Sequence, residues 1–254
     1  MTLDIIVPMA GRGSRFAVAG YTDPKPLISF GGRRMIEWVI DNLRPARPHR
    51  FIFLCLAEHL ERYPTLRETL AERAPGCAIL PVATVTEGAA CTVRLAAELI
   101  GRERPLMIAN SDQYVDVDIN RYLAALDDPA NDGLIMTFRS THPKWSYCRM
   151  AGDGRVTEVA EKQVISTEAT VGIYNFRRGQ DFLDASDAMI RADKRVNGEF
   201  YVAPVYNELI ARGRRIAVSN IGSEETCMYG LGTPEDLTRF LATPVFAQQC
   251  RGSG

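Results

Sequence analysis

No apolar run in this sequence approaches the ~20 residues needed to span a bilayer, so a membrane-embedded protein is not expected. There is no C-x-x-C pair, and the six cysteines, Cys55, Cys77, Cys91, Cys148, Cys227 and Cys250, have spacings that suit no zinc site. Cys55 falls in a strand-like run and Cys91 in a helix-like one, which reads as buried, reduced thiols in a cytoplasmic protein. The three histidines, His49, His59 and His142, are too scattered to form a site. The formal net charge is only -1, so no global field draws the chain to nucleic acid or to a membrane surface. The N-terminus lacks a basic segment followed by a long apolar one, so a secretory leader is not expected either. Internal repeats, linkers and low-complexity blocks are also missing.

What is present suits one large domain with ample core: 254 residues, 46% hydrophobic and 24% charged. The apolar run Ile5–Val7 reads as a buried first strand. It leads into Met9-Ala10-Gly11-Arg12-Gly13-Ser14-Arg15-Phe16, and Pro24-Lys25-Pro26-Leu27 follows. A strand entering a glycine-rich turn can wrap backbone N–H groups around an anion. Gly11 and Gly13 permit close approach of main chain to a phosphate. Arg15 contributes a planar fork of donors and Lys25 a compact point charge. The two cations stand ten positions apart, enough for a loop to fold over a polyphosphate. The segment is neither a P-loop, since no Gly-Lys-Ser/Thr follows, nor the dinucleotide fingerprint, since Arg15 and Phe16 stand where the third glycine should follow.

Strand-like and helix-like segments alternate through the first half: strands at Phe51–Leu56, Ala78–Pro81 and Leu106–Ala109, helices at Met35–Leu43, His59–Glu72 and Gly88–Ile100. That rhythm predicts a mostly parallel sheet covered on both faces. The middle is β-rich, with strands at Leu134–Phe138, Tyr147–Met150, Val156–Val159 and Val171–Phe176 and a hairpin turn at Gly152-Asp153-Gly154. Helices return at Phe182–Ile190, Val202–Ala211 and Glu235–Leu241, with one more strand at Ile216–Val218.

In open α/β sheets ligands sit at the carboxyl ends of the strands. Asn110-Ser111-Asp112-Gln113 follows Leu106–Ala109 there, and a carboxylate at that point can hold Mg²⁺ against triphosphate oxygens. The same residues could equally form an Asx turn or a helix cap. Glu161-Lys162 follows the strand Val156–Val159, where an exposed charged pair is ordinarily just a solvated strand end. Trp145 and Tyr147 either line a pocket or cover the sheet, the commoner use. Asn175, Arg177 and Arg178 suit an acidic ligand or a solvated turn equally.

The joint pattern P-M-A-G-x-G-S-R-F, then P-K-P-L, N-S-D-Q, G-E-F-Y-V-A-P-V-Y-N and G-L-G-T-P-E-D-L resembles the nucleotidyltransferases that activate sugar phosphates and small phosphorylated alcohols. It is most similar to a bacterial group found with capsule and surface-polysaccharide genes, one branch of which resembles a cytidylyltransferase acting on phosphorylated glutamine. The resemblance implies a Rossmann-like, GT-A-like mixed sheet with a small β-rich acceptor-binding part. It implies one domain over 1–246, divided into a nucleotide-binding half (1–130) and an acceptor-binding half (131–246), with a tail at 247–254.

It also implies roles. Met9, Ala10, Gly11, Gly13, Ser14, Arg15, Ala83, Gly88, Ala89, Ser111 and Asp112 would bind the nucleotide, and Arg15 and Lys25 would be catalytic. Lys25, Gln113, Glu161, Lys162, Gly172 and Glu199 would bind the acceptor, and Asp112 would hold Mg²⁺. The partners would be a nucleoside triphosphate and a small phosphorylated acceptor.

Two departures stand out. Many relatives have an Asp just before Gly-Thr-Pro as a second metal ligand, whereas here Gly230 stands in a stretch without carboxylates. Either Asp112 serves alone with water and triphosphate, or Glu199, Glu224 or Glu225 substitutes. Thymidylyl- and uridylyltransferases commonly read the base with a Gln that Ala83–Gly88 lacks, which turns the expectation from dTTP toward CTP. Sugar-1-phosphate transfer with UTP, dTTP or GTP stays open. So do a metal-dependent glycosyltransferase, whose D-x-D Asp116-Val117-Asp118 spells, and a non-catalytic nucleotide sensor. The apolar face Leu237, Phe240 and Leu241 suits pairing into a homodimer as well as internal packing.

Overall fold

The computed structural model describes residues 1–224 and 226–251. The first strand, β1 (Leu3–Met9), shows why the sheet is covered on both sides. Side chains alternate across a strand, and β1 sends Leu3, Ile5, Val7 and Met9 into one core while Ile6 enters the other. After it come a short helix α1 (Ser14–Val18), a 3₁₀ turn at Lys25–Leu27 and the two-residue strands β2 (Ser29–Phe30) and β3 (Arg33–Arg34). Helix α2 (Met35–Leu43) begins where Glu37 accepts the Arg34 N–H at 2.7 Å, and it buries Ile36, Val39, Ile40 and Leu43, the predicted face.

Strand β4 (His49–Leu56) leads to α3 (Ala57–Arg62) and α4 (Pro64–Arg73). The single helix predicted over 59–72 is thus two. Tyr63 precedes a proline, which disfavours helical backbone there, and it adopts φ -127°, ψ 78°. Strand β5 (Ala78–Val82) follows. The predicted helix over 88–100 is regular only in α5 (Ala89–Arg94). Beyond it the chain continues with Leu95, Ala96 and Ala97 each donating to the residue three back. Strand β6 (Leu106–Ala109), β7 (Gln113–Val115) and helix α6 (Ile119–Asp127) complete the first half. The sequence reading had not assigned β7 or α6.

The second half contains β8 (Gly133–Arg139), β9 (Ser146–Met150), β10 (Val156–Glu161) and β11 (Glu168–Phe176). Helices α7 (Gly179–Arg191) and α8 (Tyr206–Ile210) come next. A 3₁₀ turn over Ala203–Val205 precedes α8, where one continuous helix was expected. Strand β12 (Ile216–Ser223), β13 (Met228–Gly230), α9 (Pro234–Leu241) and α10 (Pro244–Arg251) end the described chain. Residues 247–251, read from the sequence as tail, are therefore helical. Phe246 in α10 stacks into an aromatic cluster with Phe30, Trp38 and Phe240. The remaining tail positions lie outside the described residues.

The main sheet runs β10-β9-β11-β6-β1-β4-β5, with β8 paired to β11 and β12 paired to β8. Strands β6, β1, β4 and β5 are parallel, while β11 is antiparallel to β6, β8 and β9. The mixed α/β fold is as expected, with helices on both faces. This arrangement puts the end of β6, with the end of β1 next to it, beside the middle of β11 at Gly172 and Ile173, and those ends frame the site. Leu237 and Phe240, which the sequence offered for pairing, are buried against Phe16, Phe30 and Trp38.

Candidate active site

A cleft of about 520 Å³ opens at this sheet edge. One end is built from the loop after β1, the Lys25 turn and the loop after β6. Its lining includes Met9, Gly11, Gly13, Arg15, Lys25, Ser111 and Asp112, with Ala89 of α5 alongside. Gly13 has φ +62°, a backbone that glycine adopts without strain, and a Cβ there would stand 3.2 Å from the Lys25 Cβ. The glycine loop is therefore seated directly on Lys25. The Lys25 ammonium donates to Asp112 Oδ2 at 2.8 Å. Burial works against the Asp112 charge, but Lys25 and then Arg15 outweigh it and hold the carboxyl below the usual carboxylate range.

The other end is lined by Lys144, Trp145 and Ser146 of β9 and its approach, Glu161 and Lys162 at the end of β10, Thr170–Gly172 and Tyr174 of β11, and Glu199 and Tyr201. Glu161 is hydrogen-bonded by the Ser146 hydroxyl. Burial pushes its carboxyl upward, with nearby Glu199 adding to the effect and Ser146 and Lys162 opposing it. Lys162 donates to the Tyr201 hydroxyl at 2.6 Å, which raises its own pKa, and its ammonium lies 4.7 Å from the Tyr201 ring centroid. Lys144 stands 4.5 Å from the Trp145 ring centroid and pairs with Glu224 at 3.0 Å.

Two glycines join the halves. Gly172 has φ +98° in an irregular stretch of β11, and its carbonyl accepts from the Asn110 N–H at 2.9 Å. Gly88, φ +127°, precedes α5 and abuts the Phe200 backbone. The Phe200 N–H donates to the Glu87 carbonyl at 2.8 Å, and the Ala90 N–H to the Phe200 carbonyl at 3.0 Å. These bonds carry Glu199 and Tyr201 to the cleft.

Not every expected residue lines the cleft. Ala10 is buried, Ser14 and Ala83 are exposed away from it, and Gly88 supports its wall. Gln113 is buried beneath Gly172, and neither polar atom of its carboxamide has a hydrogen-bond partner among the described residues. Asn175 is fully buried and accepts from Tyr122, Arg177 donates to the carbonyls of Leu126 and Asn131, and Arg178 pairs with Asp181. These three are structural and lie outside the cleft. Asp118 caps α6 by accepting the Asn120 N–H at 2.9 Å, and neither Asp116 nor Asp118 faces the cleft.

The sequence reading did not assign Lys144, Ser146 or Tyr201 to the site, while Tyr174 falls in the stretch Val171–Tyr174 that the resemblance offers as acceptor-lining. Trp145 lines the cleft as well as packing on Phe138, whereas Tyr147 is fully buried and donates to the His142 carbonyl. The signal available for Trp145 was its place one residue before a strand that begins opposite Glu161.

A divalent metal fits at Asp112, the one carboxylate at its end of the cleft among the described residues. Mg²⁺ is commonly held by one or two carboxylates, its other positions going to water and phosphate oxygens. In the Gly230-Leu231-Gly232 stretch the position facing Asp112 is Gly232, where a Cβ would lie 2.9 Å from Oδ2. Gly230 faces the Asp236 carboxylate instead. Glu224 is paired with Lys144, Glu199 stands at the other end, and Glu225 lies outside the described residues.

An α/β sheet with a cationic glycine loop and a carboxylate at its strand ends defines a class of site suited to phosphate groups. Residues 5–202 match the nucleotidyl transferase family, and the chain belongs to that family. Among solved structures it is similar to a nucleoside-diphosphate-sugar pyrophosphorylase from Vibrio cholerae RC9. That likeness has 27% identity and a TM-score of 0.81, covering 94% of this chain and 100% of that one. It shares its fold with the inositol-1-phosphate CTP transferase from T. maritima, at 14% identity and TM-score 0.73, covering 97% of this chain and 94% of that one. It shares it also with a UDP-glucose pyrophosphorylase complexed with UDP-glucose, at 16% identity and TM-score 0.76, covering 98% and 100%. No curated protein matches this sequence.

Proposed function

We propose that this nucleotidyltransferase moves a nucleoside monophosphate, CMP by preference, from a triphosphate onto a small phosphorylated acceptor, releasing pyrophosphate. The product would be a precursor for surface or capsular polysaccharide. The observation that carries the reading is the division of one cleft into a triphosphate-suited end, Arg15, Lys25 and Asp112, and a second end offering both carboxylates and ammonium groups, Glu161, Glu199, Lys144 and Lys162. The base preference rests on the absence of a Gln in Ala83–Gly88.

In the proposed reaction an acceptor phosphate oxygen attacks the α-phosphorus in line. The new O–P bond forms as the bond to the β-phosphate oxygen breaks, and pyrophosphate departs with that electron pair. The nucleophile is already an anion, so no general base is required. The chain's contribution is positioning and neutralisation of charge. Arg15 clamps the β and γ phosphates. Lys25 stands between the α-phosphate and the attacking phosphate and lowers their repulsion. Lys162 holds the acceptor phosphate, while Glu161 and Glu199 accept from the acceptor's hydroxyl or amino groups. A Mg²⁺ at Asp112, when bound, would supply further neutralisation of triphosphate charge.

The test is pyrophosphate release with Mg²⁺, across CTP, UTP, dTTP, ATP and GTP, against a panel of phosphorylated acceptors. Release that requires CTP and one acceptor supports the reading. Release only with another triphosphate corrects the base, and release with a sugar 1-phosphate as acceptor assigns sugar-1-phosphate transfer. Triphosphate binding without release from any pair favours a nucleotide sensor. The D-x-D glycosyltransferase alternative loses its motif, because Asp118 is a helix cap.

A further inference from the structure

Lys25 and Asp112 have been given separate partners, the ammonium a phosphate and the carboxylate a metal. In the free protein each instead holds the other, at 2.8 Å between Nζ and Oδ2. We propose that Lys25 is a resident counter-cation that closes Asp112 to free divalent ions, so that metal binds there only together with a triphosphate. This rests on the transferase reading of the cleft.

Three features support it. First, Asp112 Oδ2 is already partnered, on a side chain that keeps 25% of its surface exposed. The ammonium stands on one side, and Gly232 packs so near that a Cβ would lie 2.9 Å from the same oxygen. A Mg²⁺ ion binds carboxylate oxygen at about 2.0–2.1 Å, so it and the ammonium would compete for one lone-pair direction. Second, the charge at this end is already positive without a ligand. One carboxylate faces both Lys25 and Arg15, and no group of three acidic, His or Cys residues that could hold a metal exists among the described residues. A bare divalent ion would enter against that charge. Third, the ammonium has somewhere to go. Lys25 is anchored by Pro24 and Pro26, whose rings fix the backbone on either side, but its four-carbon stem can swing within the cleft it lines. A metal–triphosphate complex carries net negative charge and brings phosphate oxygens. Lys25 then exchanges a carboxylate oxygen for a phosphate oxygen, and Asp112 exchanges the ammonium for the metal. Each charge stays paired throughout, which avoids exposing an unpaired ion during the exchange.

The consequence is a coupling between two ligands through one side chain, reciprocal by thermodynamic necessity. Metal alone should bind weakly. Metal should bind well when the triphosphate is present, before any acceptor arrives.

Mn²⁺ reports this directly, since the paramagnetic resonance signal of the free ion disappears on binding. Mn²⁺ is titrated into the whole chain without nucleotide, and again with each of the five triphosphates in the absence of acceptor, each against a protein-free blank of the same triphosphate, which chelates Mn²⁺ itself. Wild-type affinity should rise at least about tenfold with the preferred triphosphate. Lys25→Met should bind Mn²⁺ without nucleotide about tenfold more tightly than wild type, the least expected from removing a unit charge a few ångströms away. The double variant Lys25→Met/Asp112→Asn should lose that gain, and Lys25→Arg should keep the wild-type suppression. Thermal unfolding of each variant checks its folding. If Lys25→Met does not fold, Lys25→Gln takes its place in the same titration. Equal Mn²⁺ affinity of wild type with and without triphosphate overturns the proposal. So does a Lys25→Met variant that folds and gains nothing while wild type responds to triphosphate, an outcome that leaves the transferase reading standing. Failure of every triphosphate to bind overturns both.

Discussion

A Cβ on Gly88 would lie 2.4 Å from the carbonyl oxygen of Phe200. These residues belong to opposite halves of the chain, and their backbones touch because Gly88 has no side chain and can hold φ +127°. The contact fixes the segment carrying Glu199 and Tyr201 against the start of α5. The site is thus one cleft rather than two facing loops.

Gly88→Ala is therefore expected to disturb both halves at once. Overpacking and backbone strain of this kind cost about 1–3 kcal/mol. The melting temperature should fall, and KM for both substrates should rise. Gly152→Ala serves as the control, because nothing lies within 4 Å of a Cβ there.

Replacing Lys25 by Ala should reduce kcat for pyrophosphate release by roughly a hundredfold or more, the ~3 kcal/mol typical of losing one preorganised charge at a reacting centre. Steady-state kinetics with saturating substrates would show it. A loss confined to KM would assign Lys25 to binding alone.

Lys162→Met should raise KM for the acceptor while leaving triphosphate binding within about twofold, because Lys162 stands with Tyr201 at the far end of the cleft from Asp112. Trp145→Ala should act in the same direction and Trp145→Phe less so, since a ring is retained. Equilibrium binding of the triphosphate without acceptor separates the two sites.

Glu161 gives the pH prediction. Its folded-state carboxyl is raised above the ordinary value by burial. Such a group contributes stability that is fully present below the unfolded pKa, near 4.3, and is lost as pH rises through the folded value. Glu161→Gln should thus gain stability relative to wild type as pH rises from about 4, and the gain should level off once Glu161 is ionised in the fold. Melting curves from pH 4 to 8 would measure this. A difference independent of pH would show that Glu161 keeps an ordinary carboxylate titration.

Gly31→Ala tests the C-terminal helix. A Cβ there would stand 2.8 Å from the Phe246 ring of α10, at φ +57°. The melting temperature should fall while acceptor and triphosphate KM stay unchanged, since neither residue lines the cleft.

The sequence by itself determined that a mostly parallel sheet is covered on both faces, because short apolar runs such as Ile5–Val7 and Leu106–Ala109 alternate with helix-like segments. It also determined the end of the cleft that holds the glycine loop, Lys25 and Asp112. There local chain geometry and residue chemistry coincide, with a strand, a glycine turn and charged side chains in immediate succession. It did not reveal α6 or β7, whose burial depends on partners elsewhere: β7 pairs with β13 from the far end of the chain. It also left Asn175, Arg177 and Arg178 open between an acidic ligand and a solvated turn, and the fold uses Asn175 for Tyr122, Arg177 for the Leu126 and Asn131 carbonyls and Arg178 for an ion pair with Asp181.

Only the tertiary structure added Lys144, Ser146 and Tyr201 to the second end, beside Glu161, Lys162, Gly172 and Glu199, which the sequence had offered. These residues come from separate strands and loops. They meet because β11 runs antiparallel to β6 and β9 at once, and because Gly88 lets the Phe200 segment approach. Only the fold, too, decided that Gly232 and not Gly230 faces Asp112. Which face a residue presents depends on the register of β13 against β7, a long-range pairing that local sequence does not encode.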